Sequence, residues 1–217
     1  MKQWIYKKCN ADTAAVAKRY NISEIFARVL INRGLYSWKA MDNYLFPDME
    51  KMYAPELMKD LIKAAEILLD AVKHHIKIRV IGDYDVDGVM SSYILFKGID
   101  MLGGDVTCRI PHRVRDGYGI RDYMVDEAAD EGVGLIITCD NGISAVSAAD
   151  RAKELGITYI LTDHHEVPDK DGEEMIPHAD AVVNPKQKAC RYPYDMLCGA
   201  GVVYKLMSYI FEKKGDK

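Results

Sequence analysis

From Ile76 onward the apolar residues fall into short runs, Ile78 to Ile81, Val106 to Ile110, Leu135 to Thr138, Tyr159 to Leu161 and Ala181 to Val183, separated by longer stretches with helical spacing. Strand and helix alternating in this way predict an α/β fold: an open, mostly parallel sheet with helices on both faces. The intervening helices are expected at about residues 88–102, 120–131, 143–155 and 199–213. Upstream, Leu57, Leu61, Ala64, Ala65, Leu68 and Ala71 form one apolar stripe, which predicts a single amphipathic helix from Pro55 to His75. Earlier still, Ile25, Val29 and Leu30 recur at helical spacing, Arg33-Gly34 is a stop, and Ser37 can cap a second short helix. The expected organisation is therefore a small helical lead-in over 1–54 and an α/β domain over 55–217. The charged, glycine-containing stretch 167–179 reads as a solvated loop.

Three acidic clusters each follow a predicted strand: Asp83-Tyr84-Asp85-Val86-Asp87-Gly88, then Asp140-Asn141-Gly142, then Asp163-His164-His165. In an open α/β sheet, loops at the strands' carboxyl ends converge, so positions far apart in sequence meet at one site. Carboxylates crowded there repel one another unless a cation neutralises them. Carboxylate oxygens with one or two imidazoles suit manganese or magnesium better than a thiolate zinc site. Two such ions about 4 Å apart can clamp the attacking and leaving oxygens of a phosphodiester displacement. Gly88, Asn141-Gly142 and the run Cys198-Gly199-Ala200-Gly201 open predicted helices, whose free N–H groups favour phosphate. His74-His75 at a helix end and the isolated His178 read as structural.

Composition narrows the picture. Over 217 residues, 49% are hydrophobic and 29% charged, which fits a globular chain, and the formal net charge of −4 supplies no overall attraction for nucleic acid. A nucleic acid must then be held locally, by metals or by a patch. The five cysteines, Cys9, Cys108, Cys139, Cys190 and Cys198, form no Cys-x-x-Cys pair, and a reducing cytoplasm is expected. The basic start is followed by no apolar core of a leader, and no window approaches the roughly 18 apolar residues of a membrane span, so no membrane association is expected.

In order, Asp83-Tyr84-Asp85-Val86-Asp87-Gly88, Asp140-Asn141-Gly142-Ile143, Asp163-His164-His165 and Gly199-Ala200-Gly201-Val202 resemble the four motifs of the DHH phosphoesterase superfamily. The segments between them, Ile110-Pro111-His112-Arg113 with Gly117-Tyr118-Gly119, Val183-Asn184-Pro185-Lys186 and Cys198 through Leu206, are similar to its RecJ-like exonuclease branch, as is the lead-in from Ile31 to Leu57. The resemblance implies a manganese- or magnesium-dependent phosphodiesterase, with two metals, that removes nucleotides from the 5′ end of single-stranded DNA in repair and recombination. It implies metal ligands at Asp85, Asp87, Asp140 and His164, with Asp140 as the bridge. It gives Asp83 and Asp163 catalytic roles as ligand or support and His165 a contact to the scissile phosphate; Arg113 is a further candidate phosphate contact, because its guanidinium matches phosphate bidentately.

Two departures accompany the resemblance. Some members carry a histidine four residues before Asp85, where this sequence has Ile81. The family also places a metal-binding aspartate after the Gly-Ala-Gly helix, and Asp216 is not embedded in that motif. The second DHH-associated domain and an oligonucleotide-binding fold are not in the sequence either. The chain is thus expected to be a C-terminally shortened fragment, weak or inactive alone. Two alternatives stay open: a phosphoesterase for short oligonucleotides or cyclic dinucleotides, and a non-catalytic scaffold relative.

Overall fold

The computed structural model describes residues 11–117 and 119–215; Cys9, Tyr118 and Asp216 lie outside them. The chain divides into two compact units, Met1–Met52 and Tyr53–Lys217.

In the first unit three helices, α1 (Thr13–Tyr20), α2 (Glu24–Asn32) and α3 (Trp38–Leu45), are each started by a side-chain cap, from Asp12, Ser23 and Ser37 respectively. The sequence reading anticipated the last two but not α1, whose only buried residue is Val16. Of the α2 positions expected to be apolar and inward, Leu30 is fully buried but Val29 is exposed. Ile25 is 79% exposed, and Ala27 and Ile31 pack instead with Val16 and Met41.

The second unit is built on a five-stranded, fully parallel sheet, β1 (Ile78–Ile81), β2 (Val106–Arg109), β3 (Leu135–Cys139), β4 (Thr158–Thr162) and β7 (Ala181–Val183), in the order β2-β1-β3-β4-β7. Side chains alternate across it. Ile78, Val80, Leu135, Ile137 and Ile160 pack with α4 (Leu61–Lys73), α5 (Val86–Met101) and α8 (Gly199–Lys214). Ile81, Ile136, Tyr159 and Leu161 pack with α6 (Asp122–Asp130) and α7 (Val146–Glu154) on the other face. Burial on both sides explains the largely apolar runs of β3, β4 and β7, while β2 at the sheet edge is only partly buried. The chain leaves β1 for β2 through α5 on one face and β3 for β4 through α7 on the other, so β1 and β3 flank the point where ligands bind in such sheets.

The helix expected from Pro55 to His75 is interrupted. A 3₁₀ turn at Pro55–Leu57 is followed by Asp60 in a left-handed conformation (φ 60°), and α4 starts only at Leu61. The break is held by Asp60, whose Oδ2 receives Lys59 Nζ at 2.8 Å and Val182 N–H at 3.3 Å. The stretch 167–179 is more ordered than a solvated loop: β5 (Asp169–Lys170) and β6 (Glu173–Glu174) pair as a small antiparallel hairpin. His74 caps the end of α4, with Nδ1 2.9 Å from Asp70 O, and His178 Nδ1 lies 2.9 Å from Asp150 Oδ1. No disulfide joins the described cysteines Cys108, Cys139, Cys190 and Cys198, and no helix among the described residues is long and apolar enough to cross a membrane.

Candidate metal centre

Each central strand ends in a buried acid. Asp83, two residues beyond β1, is 3% exposed; Asp140, the residue after β3, is 2%; Asp163, the residue after β4, is 1%. A buried carboxylate is costly unless it is paired, and the three are satisfied to very different degrees.

Asp163 is fully engaged. Its Oδ2 accepts Ile143 N–H at 2.9 Å, and its Oδ1 accepts the N–H of His164 at 2.7 Å and of His165 at 3.1 Å and meets His165 Nδ1 at 2.7 Å. Burial would raise its pKa, but these hydrogen bonds outweigh it and hold the carboxyl below its ordinary range. The same contact raises the pKa of His165. Asp163 thus serves as a support that fixes the backbone and the ring of the next two residues.

Asp140 is the opposite case. It sits in the left-handed region (φ 59°), and its buried Oδ1 has no hydrogen-bond partner. His164 Nε2 is only 2.9 Å from that oxygen, without hydrogen-bond geometry between them. Burial first, then the neighbouring Asp87 and Asp85, push the Asp140 pKa up to about 8. Asp83 Oδ1 is likewise buried and unpartnered, and burial raises its pKa too. Unpaired oxygens and a nearby imidazole nitrogen are the donor set a hard divalent cation takes. Two groups can supply it: Asp140, His164 and His165, and Asp83, Asp85 and Asp140, with ligand atoms within 4.8 Å of one another in each. Asp140 belongs to both.

Glycines let these groups approach. A Cβ on Gly199 would lie 2.6 Å from Asp140 Oδ1, one on Gly88 would lie 2.5 Å from Asp83 O, and one on Gly142 (φ 109°) would lie 2.8 Å from Thr138 Oγ1. Asp85 caps α5, accepting Gly88 N–H at 2.9 Å. Asp87 caps α8 from a distance: its Oδ2 and Oδ1 accept the N–H groups of Gly199 at 2.7 Å and Ala200 at 2.8 Å. Its Oδ2 is also 3.5 Å from His164 Nε2.

These contacts differ from one expectation. The N–H groups of Gly88, Ile143 and Gly199, at turns read as phosphate cradles, are donated to the protein's own carboxylates. The helix expected from residue 143 also starts later, at Val146, after a turn closed by Ala145 N–H to Gly142 O. Asn141 stitches the sheet edge, its Nδ2 donating to Gly82 O at 2.6 Å, while Gly201 packs against Leu197. Arg113 is exposed, with its guanidinium 5.2 Å from the ring centroid of Tyr84, the residue next to Asp83.

One strand end escaped the sequence reading. Asn184 directly follows β7 and is fully buried, its Nδ2 donating to His165 O at 3.0 Å. The signal was available, since Val183-Asn184-Pro185 repeats the pattern of a polar residue at the end of an apolar run.

A family model described as "DHH family, N-terminal domain" matches residues 77–217, well over half of the chain. The chain belongs to the DHH family. Its DHH portion is accompanied by similarity over nearly the whole length to curated relatives. It is 35% identical over 216 residues to the single-stranded-DNA-specific exonuclease RecJ of Bacillus subtilis, covering 99% of this chain and 27% of that protein. It is 34% identical over 184 residues to the enzyme of the same name from Escherichia coli, covering 84% of this chain and 30% of that one. The DHH chain thus spans less than a third of the length of these relatives. Among solved structures, an exonuclease RecJ bound to manganese superposes with a TM-score of 0.65 at 36% identity, over 73% of this chain and 39% of that one. RecJ from Thermus thermophilus with Mn2+ gives 0.66 at 29%, over 94% and 27%.

Proposed function

We propose that the carboxyl-edge centre hydrolyses phosphodiester bonds using two divalent cations, manganese or magnesium, and that its substrate is single-stranded DNA, shortened from the 5′ end. One observation carries the metal half of this reading: two donor sets share Asp140, and the buried Oδ1 atoms of Asp140 and Asp83 have no hydrogen-bond partner. The substrate half rests on similarity to the single-stranded-DNA-specific exonucleases.

In this reading Asp85, Asp87, Asp140 and His164 would hold the metals, and Asp140, which belongs to both donor sets, would be their shared ligand. Asp87 can do so while capping α8, because each carboxylate oxygen has a second lone pair. Asp83 supplies a further ligand or supports one. Cations held there provide Lewis-acid activation of water and of the phosphoryl oxygens. The chain's own residues orient the substrate. His165, whose ring Asp163 fixes at 2.7 Å, is placed to donate a hydrogen bond to a nonbridging phosphate oxygen. The exposed Arg113 offers a bidentate contact to the next phosphate. Asn141 and Gly142, with Gly199 and Gly201, keep the loops close enough for both. Repair and recombination, and the reducing cytoplasm, are the setting we assign.

The test is cleavage of a 5′-phosphorylated single strand with manganese, by this chain and by Asp140→Ala. Slow, manganese-dependent loss of 5′ nucleotides that disappears in the variant is expected. Cleavage that persists in Asp140→Ala, or that starts from the 3′ end, contradicts the reading.

A further inference from the structure

The segment Val183-Asn184-Pro185-Lys186 has no part in the chemistry above, yet its asparagine is among the most completely buried polar residues of the protein. Asn184 uses both ends of its amide: Nδ2 donates to His165 O at 3.0 Å, and Oδ1 accepts Lys186 N–H at 2.9 Å. Its main-chain carbonyl accepts Gln187 Nε2 at 3.1 Å, and Gln187 donates also to Val182 O at 2.9 Å. Gln187 Oε1 in turn accepts Lys59 Nζ at 3.1 Å, and Lys59 is bonded to Asp60. A continuous, partly buried polar web therefore runs from the start of α4, past the short edge strand β7, to the loop that carries His164 and His165.

That loop needs a second anchor. Asp163 pins it through the N–H groups of His164 and His165, which fixes only its incoming side. On the outgoing side the His165 carbonyl is held by Asn184, and beyond it Glu166 is exposed. Amides buried in this way are strongly directional, because a lost partner leaves a desolvated carbonyl behind. We propose that Asn184 is a positioning residue for the metal centre, keeping the His164 and His165 rings where Asp140 needs them by clamping the His165 main chain. The inference rests on the metal reading given above, and it deepens it by assigning the fourth strand end.

The experiment uses Asn184→Asp and Asn184→Ser in the full chain. Aspartate keeps the size and the acceptor for Lys186 N–H but faces the His165 carbonyl with an oxygen; serine is too short to reach it. Each variant is first shown to be folded by circular dichroism and thermal melting. Then manganese is titrated by calorimetry, and the histidine ring resonances are recorded by NMR without metal. The expected result is manganese affinity weakened roughly tenfold or more, as for other groups that orient metal ligands, with shifted His164 and His165 resonances in the metal-free protein. Folded variants with wild-type affinity and unmoved resonances overturn the proposal. So does a variant that melts earlier but, below its melting temperature, binds manganese as the wild type does. If the wild type itself binds no manganese, the metal reading fails first, and the resonances alone decide whether Asn184 positions the rings.

Discussion

Within β1 and β3 every residue is buried, and six of the nine are Ile, Leu or Val; one or two residues further along the same strands stand Asp83 and Asp140, equally buried but carboxylic acids. The two regions share backbone, sheet and helices and differ only in what the side chains need. In the strand bodies the aliphatic side chains find apolar neighbours on the two faces, where burial stabilises the fold, and the one buried charge, Arg79, is paired with Glu131 at 2.6 Å. At the edge, burial raises the pKa of Asp83 and Asp140 and leaves an oxygen of each without a partner. Stability thus resides in the strand bodies and chemistry at their ends, so substitutions should separate the two.

The largest separation is expected at the ends. Asp140→Ala should lower manganese-dependent cleavage by more than the roughly 100-fold seen when groups merely supporting a metal are removed, while the melting temperature of the metal-free protein holds or rises. A cleavage assay beside a melting curve checks this. The reverse pattern is expected in the strand body: Ile137→Ala, fully buried in β3, should cost about 2–5 kcal/mol of stability and leave the manganese affinity of the folded protein unchanged. Denaturant unfolding and calorimetry on the same sample measure both.

Gly199→Ala falls between them. Its added Cβ would meet Asp140 Oδ1 at 2.6 Å, so about 1–3 kcal/mol of strain should come with weakened metal binding; loss of stability with full affinity would place the glycine in the body rather than the edge. A smaller effect is expected from pH. The folded Asp140 has a pKa raised to about 8, whereas the unfolded carboxyl titrates near 3.9. Between those values the folded state holds a proton that the unfolded state has lost, so this group makes the metal-free protein less stable as pH rises from about 4 to 8. Asp140→Asn should flatten that slope in melting curves recorded with chelator. Least of all, Lys188→Ala, which removes exposed contacts to Asp169 and Gly172 O, should leave both melting and metal binding as they were.

Much of this was legible in the sequence because two simple periodicities carried it. All five strands of the sheet follow from apolar runs, and the acidic clusters were conspicuous because each came directly after one. What the sequence did not show depended on long-range partners. The break at Asp60 is set by Val182, far along the chain. The face of α2 was only partly legible, because Leu30 is buried as expected while the larger residues Ile25 and Val29 are exposed and the small Ala27 is buried. The helix start at Gly199 looked like an open anion site because nothing local reveals that Asp87, 112 residues earlier, fills it. Asn184 was overlooked because an amide carries no charge to draw attention, although its position after β7 matches that of the acids.

The most direct test is calorimetric titration of manganese into the metal-free chain and into Asp140→Ala. Saturable binding to the wild type, accompanied by proton release below about pH 8 as Asp140 ionises, and absent from the variant, is the predicted result. Equal binding by both proteins, or none by the wild type, would contradict a metal centre built around Asp140.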